Sequence, residues 1–299
     1  MRCAFPPYEL RAMGFRLWSA RGFPAPAALR IEARLAYYEP TASFEGPSEM
    51  SKAPKKRKSP KARRPKGTAR GSRPTARVNP GIAAAARDNV VAIVGQGRVP
   101  ERALEIPLSA FFLADHLTRR FEADQVLPHP AACQAGCDSC CYNQVELTPP
   151  EALLIGHHIA RQFSQAEKDL LLAHVARIIE IIKAMGPAES AARRREIPCP
   201  LLRNRTCSVY PARPLVCRAM HGLDREGCVA ELRTGSLAGS QYYAHRHEIA
   251  VSVSAGLREG CKAAGLESGP LNLTRALHDF FSQEHAVERW INGEEVFGT

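Results

Sequence analysis

Cysteine placement constrains this 299-residue chain more than any other feature: four of its ten cysteines fall within nine residues, Cys133-Gln-Ala-Gly-Cys137-Asp-Ser-Cys140-Cys141, and Cys199, Cys207, Cys217 and Cys228 follow. In a small secreted protein such numbers would indicate a disulfide scaffold. This chain is large and its first forty residues hold no apolar core of signal-peptide type, so the expectation is a cytoplasmic location with free thiols. The adjacent pair Cys140-Cys141 agrees, because bridging neighbours pulls their Cα atoms closer than disulfide geometry favours. Thiols at this density then read as ligands for zinc or an iron–sulfur cluster.

Steps of four, three and one would also place the first four cysteines on one helix face, where cysteine packs as a small hydrophobe. Gly136, Asp138 and Ser139 oppose that, since they weaken a helix and favour turns. A loop that doubles back can direct three or four thiolates to one centre. The second group, Cys199 to Cys217, is spaced too widely for a tight knuckle. Its prolines stiffen it instead: Pro198 and Pro200 flank Cys199, and Pro211 and Pro214 precede Cys217. Arg203, Arg205, Arg213 and Arg218 lie within a few residues of these thiols, available to offset thiolate charge. His129, His157, His158, His221, His245 and His247 are candidates to complete a site, with His221 first among them. Cys261 is a weak candidate, and Cys3 is set aside.

The net charge of +11 is localised. Twelve Lys or Arg and no acid lie between Ser51 and Arg77, so the remainder is close to neutral and polyanion affinity would belong to this segment, with Lys55, Lys56, Arg57, Lys58, Arg63 and Arg64 as its densest part. Residues 50–80 have the composition of a disordered basic arm, either for nucleic acid or an acidic partner or as a solubilising tail. Residues 1–49 show no sustained period, and Met50 immediately before the basic run is a candidate native start.

Beyond the arm the patterns are helical. An Ala-rich stretch from Ile82 to about Gly97 and a second stretch from Pro107 to about Gln125 form N-terminal helices over 81–130. Thr148-Pro-Pro-Glu151 reads as an N-cap and capping box opening a helix through Gln162, and Ser164-Gln-Ala-Glu167 repeats the signal. The helix after it carries Leu170, Leu171, Val175, Ile178, Ile179 and Ile182, so the two predict an antiparallel hairpin between the cysteine groups. Residues 198–228 are expected as irregular loop. A last helix is expected from Asn272 to about Ile291, within a C-terminal segment 263–299 that follows a cysteine domain over 131–262. The fold class expected is mainly α: a small helical domain with irregular cysteine-rich loops organised around metal, preceded by the basic arm.

The run C-x3-C-x2-C-C, then Val145-Glu-Leu-Thr148, the helix with Glu151, Cys199-Pro-Leu-Leu, and Cys207-Ser-Val-Tyr-Pro-Ala-Arg-Pro-Leu-Val-Cys-Arg218 together resemble the bacterial cysteine-cluster family of YkgJ type, a zinc- or iron-chelating domain. The resemblance covers about residues 131–228. It implies Cys133, Cys137, Cys140, Cys141, Cys199, Cys207 and Cys217 as metal ligands, Cys228 as a weaker eighth, and Tyr210, Arg213, Pro214 and Arg218 as motif positions around them.

Three functions follow as expectations. The preferred one is an iron–sulfur protein with one or two metal sites, serving redox or electron transfer with an unknown protein or redox partner and no membrane. The alternative is a structural-zinc module whose arm engages nucleic acid or an acidic partner. The third is a cluster-dependent protein methyltransferase, because flagellin lysine N-methylase carries a similar cysteine cluster. The spacing of Cys133, Cys137 and Cys140 also satisfies the radical SAM triad, but the helices and proline-rich loops that follow do not suit that barrel. Deleting residues 51–80 is expected to abolish salt-sensitive binding to duplex DNA while leaving metal content unchanged; binding that survives the deletion would remove the arm from consideration.

Overall fold

The computed structural model describes residues 76–185, 187–234 and 241–298. Residues 1–49, the candidate start Met50 and the arm residues Lys55, Lys56, Arg57, Lys58, Arg63 and Arg64 lie outside them.

Helix α1, Pro80–Val94, begins where the Asn79 side chain accepts hydrogen bonds from the N–H groups of Gly81 and Ile82, with proline at its first position. Helix α2 runs Pro100–Asp124. It starts seven residues before the expected boundary, because Pro100 supplies the N-terminal proline and Pro107 is accommodated inside the helix. Pro107 has no N–H, so it leaves the carbonyl of Ala103 without its helical partner but does not end the helix. Next come a single 3-10 turn, Ser139–Tyr142, the short strand β1, Glu146–Leu147, and helices α3, Pro149–Gln162, and α4, Gln165–Ala184. The boundaries of α3 and α4 and both capping boxes are those read from the sequence.

The segment expected as loop is more ordered than its prolines suggest. After the short helix α5, Pro187–Ala192, it holds the strands β2, Leu202–Arg203, and β3, Thr206–Cys207, paired antiparallel with Leu202 opposite Cys207. Asn204 and Arg205 join them at φ values of 47° and 61°, the left-handed pair that a two-residue type I′ hairpin requires. Helices α6, Leu215–Ala219, and α7, Arg225–Thr234, follow.

Helix α8, Ala244–Ala263, is the principal element the sequence reading did not anticipate. It lies along α1, and its glycines explain how: a Cβ at Gly256 would overlap the Ala83 carbonyl oxygen, and one at Gly260 would stand 2.6 Å from Val90 Cβ and 2.8 Å from the Arg87 carbonyl oxygen. Two glycines one turn apart thus let the helix backbones approach directly. Their lack of side chains is also what thins the apolar stripe of Ile249, Val253 and Leu257.

The expected C-terminal helix is two. Strand β4, Leu271–Asn272, pairs antiparallel with β1 and leads into α9, Leu273–Phe281; α10, Ala286–Ile291, restarts after His285, whose φ of 55° breaks the run. Helix α9 also corrects the expected hairpin. Helices α3 and α4 have α9 as their common packing partner, and the Phe280 ring occupies the position where Gly156 of α3 has no side chain. On α4 the apolar face is narrower than the sequence list: Leu171, Val175, Ile178 and Ile179 are buried, but Leu170 is 70% exposed, being about 100° round the helix from Leu171.

One apolar cluster runs from Ile82 to Phe297 and draws on α1, α2, α3, α4, α8, α9 and α10, with Trp290 fully buried. No helix among the described residues is long and apolar enough to cross a membrane. Gly256→Ala is expected to destabilise the fold by about 1–3 kcal/mol in urea unfolding, because overpacking against backbone outweighs the gain in helix propensity of about 1 kcal/mol. An unchanged or higher midpoint would contradict the close contact between α1 and α8.

Candidate metal centre

The helices carry the cysteine segments as loops on a rigid frame. The first run leaves α2 through Pro128 and Pro130, and its direction is set at Gly136, in left-handed conformation at φ 79°. Cys140 and Cys141 then occupy the 3-10 turn, and the turn chemistry of Gly136, Asp138 and Ser139 prevails over a continuous helix, as the sequence indicates. The N–H of Cys199 donates to the carbonyl of Cys141 at 2.7 Å, which joins the two cysteine groups through backbone.

Cys199 and Cys207 are positioned by the β2–β3 hairpin, whose tip is held to the first run by Arg205 and Asp138 at 3.4 Å. Cys217 lies on α6 and Cys228 on α7. Helix α6 packs on α8 through Leu215 and Ala219, and its start is also held by Glu151. The Glu151 carboxylate is 1% exposed and accepts from the N–H and hydroxyl of Thr148, at 2.8 and 2.7 Å, and from the N–H of Leu215 at 2.7 Å. The second cysteine segment is thereby fastened to the start of α3, 64 residues earlier.

The thiols sense one another's charge. Burial pushes Cys217 well up, and Cys199, Cys140 and Cys207 push it further, while Arg213 opposes them. Burial raises Cys199 to about 12 and also raises Cys207. Within the vicinal pair the two thiols share a hydrogen bond, which lowers Cys140 and raises Cys141. On the other side, burial raises Cys228 to about 11, with Cys133, Cys137 and Cys140 adding to it, and burial raises Cys133. Gly222 sits between these last two: its N–H donates to Cys133 Sγ at 3.4 Å, and a Cβ there would overlap the Cys228 sulfur.

All eight thiols proposed from sequence are free and drawn into one region. Among the described residues no three Cys, His, Asp or Glu side chains close on a single point in metal-binding geometry, so the sulfurs are neighbours rather than a finished coordination shell. The donor set itself suits a thiophilic metal: eight soft sulfurs, with a guanidinium beside them whose buried Nε has no hydrogen-bond partner.

The four arginines separate. Arg213 faces the thiols and lies 4.1 Å from the Tyr210 ring centre. Arg203 pairs with Glu167 at 3.1 Å, and Arg205 pairs with Asp138. Arg218, 7% exposed, binds Asp115 of α2 at 3.1 Å and the carbonyls of Arg213 and Pro211, and lies over Phe111. It braces the loop and does not meet the sulfurs. His221 is engaged at both nitrogens, with Nδ1 against the Ala219 carbonyl and Nε2 accepting from the Tyr243 N–H. Cys261 is buried in the apolar core.

Sequence reading missed Arg246 of α8, whose charge slightly opposes the rise that burial gives Cys133 and which Glu122 of α2 holds at 2.6 and 2.9 Å. No spacing relates it to the cysteines; only the unrecognised helix α8 brings it there.

A helical frame that presents a cluster of free thiols on short, braced loops defines a helical cysteine-cluster protein. Residues 132–234, about a third of the chain, match the family model CxxCxxCC, described as "Putative zinc- or iron-chelating domain". No curated protein and no solved structure matches the chain.

Glu151→Ala is expected to cost about 2–4 kcal/mol in chemical denaturation, because it strands the buried N–H groups of Thr148 and Leu215. Glu151→Gln should cost less, since its amide oxygen can still accept from one of them. Equal stability of wild type and Glu151→Ala would show that α6 is held by other contacts.

Proposed function

We propose that the thiols of this domain bind an iron–sulfur cluster and that the protein works in redox or electron transfer. The observation that carries this reading is the gathering of Cys133, Cys137, Cys140, Cys141, Cys199, Cys207, Cys217 and Cys228 from five separate local structures into one group of neighbouring thiols beside Arg213. A bound cluster supplies reversible one-electron chemistry. The protein's part is to hold the sulfurs and balance charge. The half-buried setting of Cys199, Cys207 and Cys217 limits solvent, and Arg213 offsets the negative charge that thiolates bring. Binding requires the raised thiols to lose their protons, so the metal's binding energy has to draw the sulfurs inward and deprotonate them together.

Protein purified without oxygen is expected to be brown, to contain iron and acid-labile sulfide, and to bleach on reduction with dithionite. A colourless protein containing zinc alone would overturn the redox reading in favour of a structural-zinc module.

A further inference from the structure

We propose that Arg213 donates a hydrogen bond from Nε to a sulfur of the bound iron–sulfur cluster, its thiolates included, and thereby sets the cluster's reduction potential. This rests on the iron–sulfur reading above and adds to it which residue tunes the centre and through which atom.

The four arginines around the second cysteine group share one chemistry and differ in what engages them. Arg203 is paired with Glu167 and Arg205 with Asp138, at 3.1 and 3.4 Å, and Arg218 is occupied by Asp115 and two carbonyls. Arg213 differs, because its Nε is buried and has no hydrogen-bond partner among the described residues. A buried donor without an acceptor is costly to keep, and nearly all such groups in folded proteins find a partner. A sulfur that gains negative charge is the acceptor this setting offers.

The fold fixes this donor in place. Arg213 follows the 3-10 turn Tyr210–Ala212, which joins Cys207 of β3 to Cys217 of α6. Its N–H donates to the Tyr210 carbonyl at 3.4 Å and its own carbonyl accepts from Arg218 Nε at 3.0 Å, so the backbone is held on both sides. The guanidinium lies 4.1 Å from the centre of the Tyr210 ring, a stacking that occupies its flat face and leaves the N–H donors at its edge free, and it faces Cys207 and Cys217. Reduction adds one negative charge to a cluster. A cation and an N–H donor at the sulfurs stabilise the reduced form more than the oxidised one, so the potential is higher with Arg213 than without it. Lysine would keep the charge but lack the planar Nε–H and the flat face that rests on Tyr210.

The test is the reduction potential of the full-length, cluster-loaded protein, prepared without oxygen and titrated with electron-spin detection, with iron and acid-labile sulfide measured on the same samples. Arg213→Gln should disfavour the reduced cluster roughly tenfold or more, a fall of about 59 mV for a one-electron couple. Arg213→Lys should lie between that variant and wild type, and Arg203→Gln should match wild type. A second measurement needs no substitution: in wild type grown with arginine carrying the heavy nitrogen isotope, the pulsed electron-spin spectrum of the reduced cluster should show a weak nitrogen coupling altered from that of unlabelled protein. A loaded Arg213→Gln with the wild-type potential, or a spectrum indifferent to the label, would overturn the role of Arg213 and leave the iron–sulfur reading standing. Should Arg213→Gln fail to load, the labelled wild type decides. Wild type that holds zinc and no iron would overturn the iron–sulfur reading and the role of Arg213 together.

Discussion

The arrangement of the thiols depends on one buried carboxylate. Glu151 receives N–H groups from the starts of two helices, α3 at Thr148 and α6 at Leu215. The orphan donors and positive dipole ends of two helices thus converge on a single anion, which offsets the cost of removing that anion from water. Burial still holds its pKa above the ordinary carboxylate value, so the compensation is incomplete. What the fold gains is position: the start of α6 is fixed to a helix embedded in the core, alongside the buried Leu215 and Ala219 of α6 itself.

Other polar contacts extend this fastening. Arg194 reaches Asn143 just after the 3-10 turn and the Glu231 carbonyl on α7, while the β1–β4 pair ties the residues after the first run to α9. The frame is apolar and close-packed, and the thiol loops join it both through these polar contacts and through Leu201, Val209, Ala212, Leu215 and Ala219, which lie in the core.

Local signals in the sequence located what they encode directly. Thr148 and Glu151, and Ser164 and Glu167, mark α3 and α4 because capping is a contact between residues three apart. The turn at Gly136 and the cysteine spacings were legible for the same reason. Helix α8 was not, because Gly256 and Gly260 weaken helix propensity in isolation and acquire their meaning only against α1. The hairpin expected of α3 and α4 failed similarly: two amphipathic stripes indicate that each helix buries a face, without naming α9 as the element that covers both. At the site, the eight sulfurs could be named from sequence, but Arg246, Gly222 and the bracing role of Arg218 arise from contacts between distant segments.

Arg218 gives the structure a property that belongs to neither the core nor the sulfurs alone. Its guanidinium is shared between Asp115 on α2 and the carbonyls that precede Cys217, and its face rests on Phe111 in the core. Through this residue the segment around Cys217 and helix α2 are linked thermodynamically. Were the sulfurs to bind metal, the free energy of ligation would be returned in part as added stability of α2, and strain in α2 would reappear as weakened ligation, though no sulfur had changed.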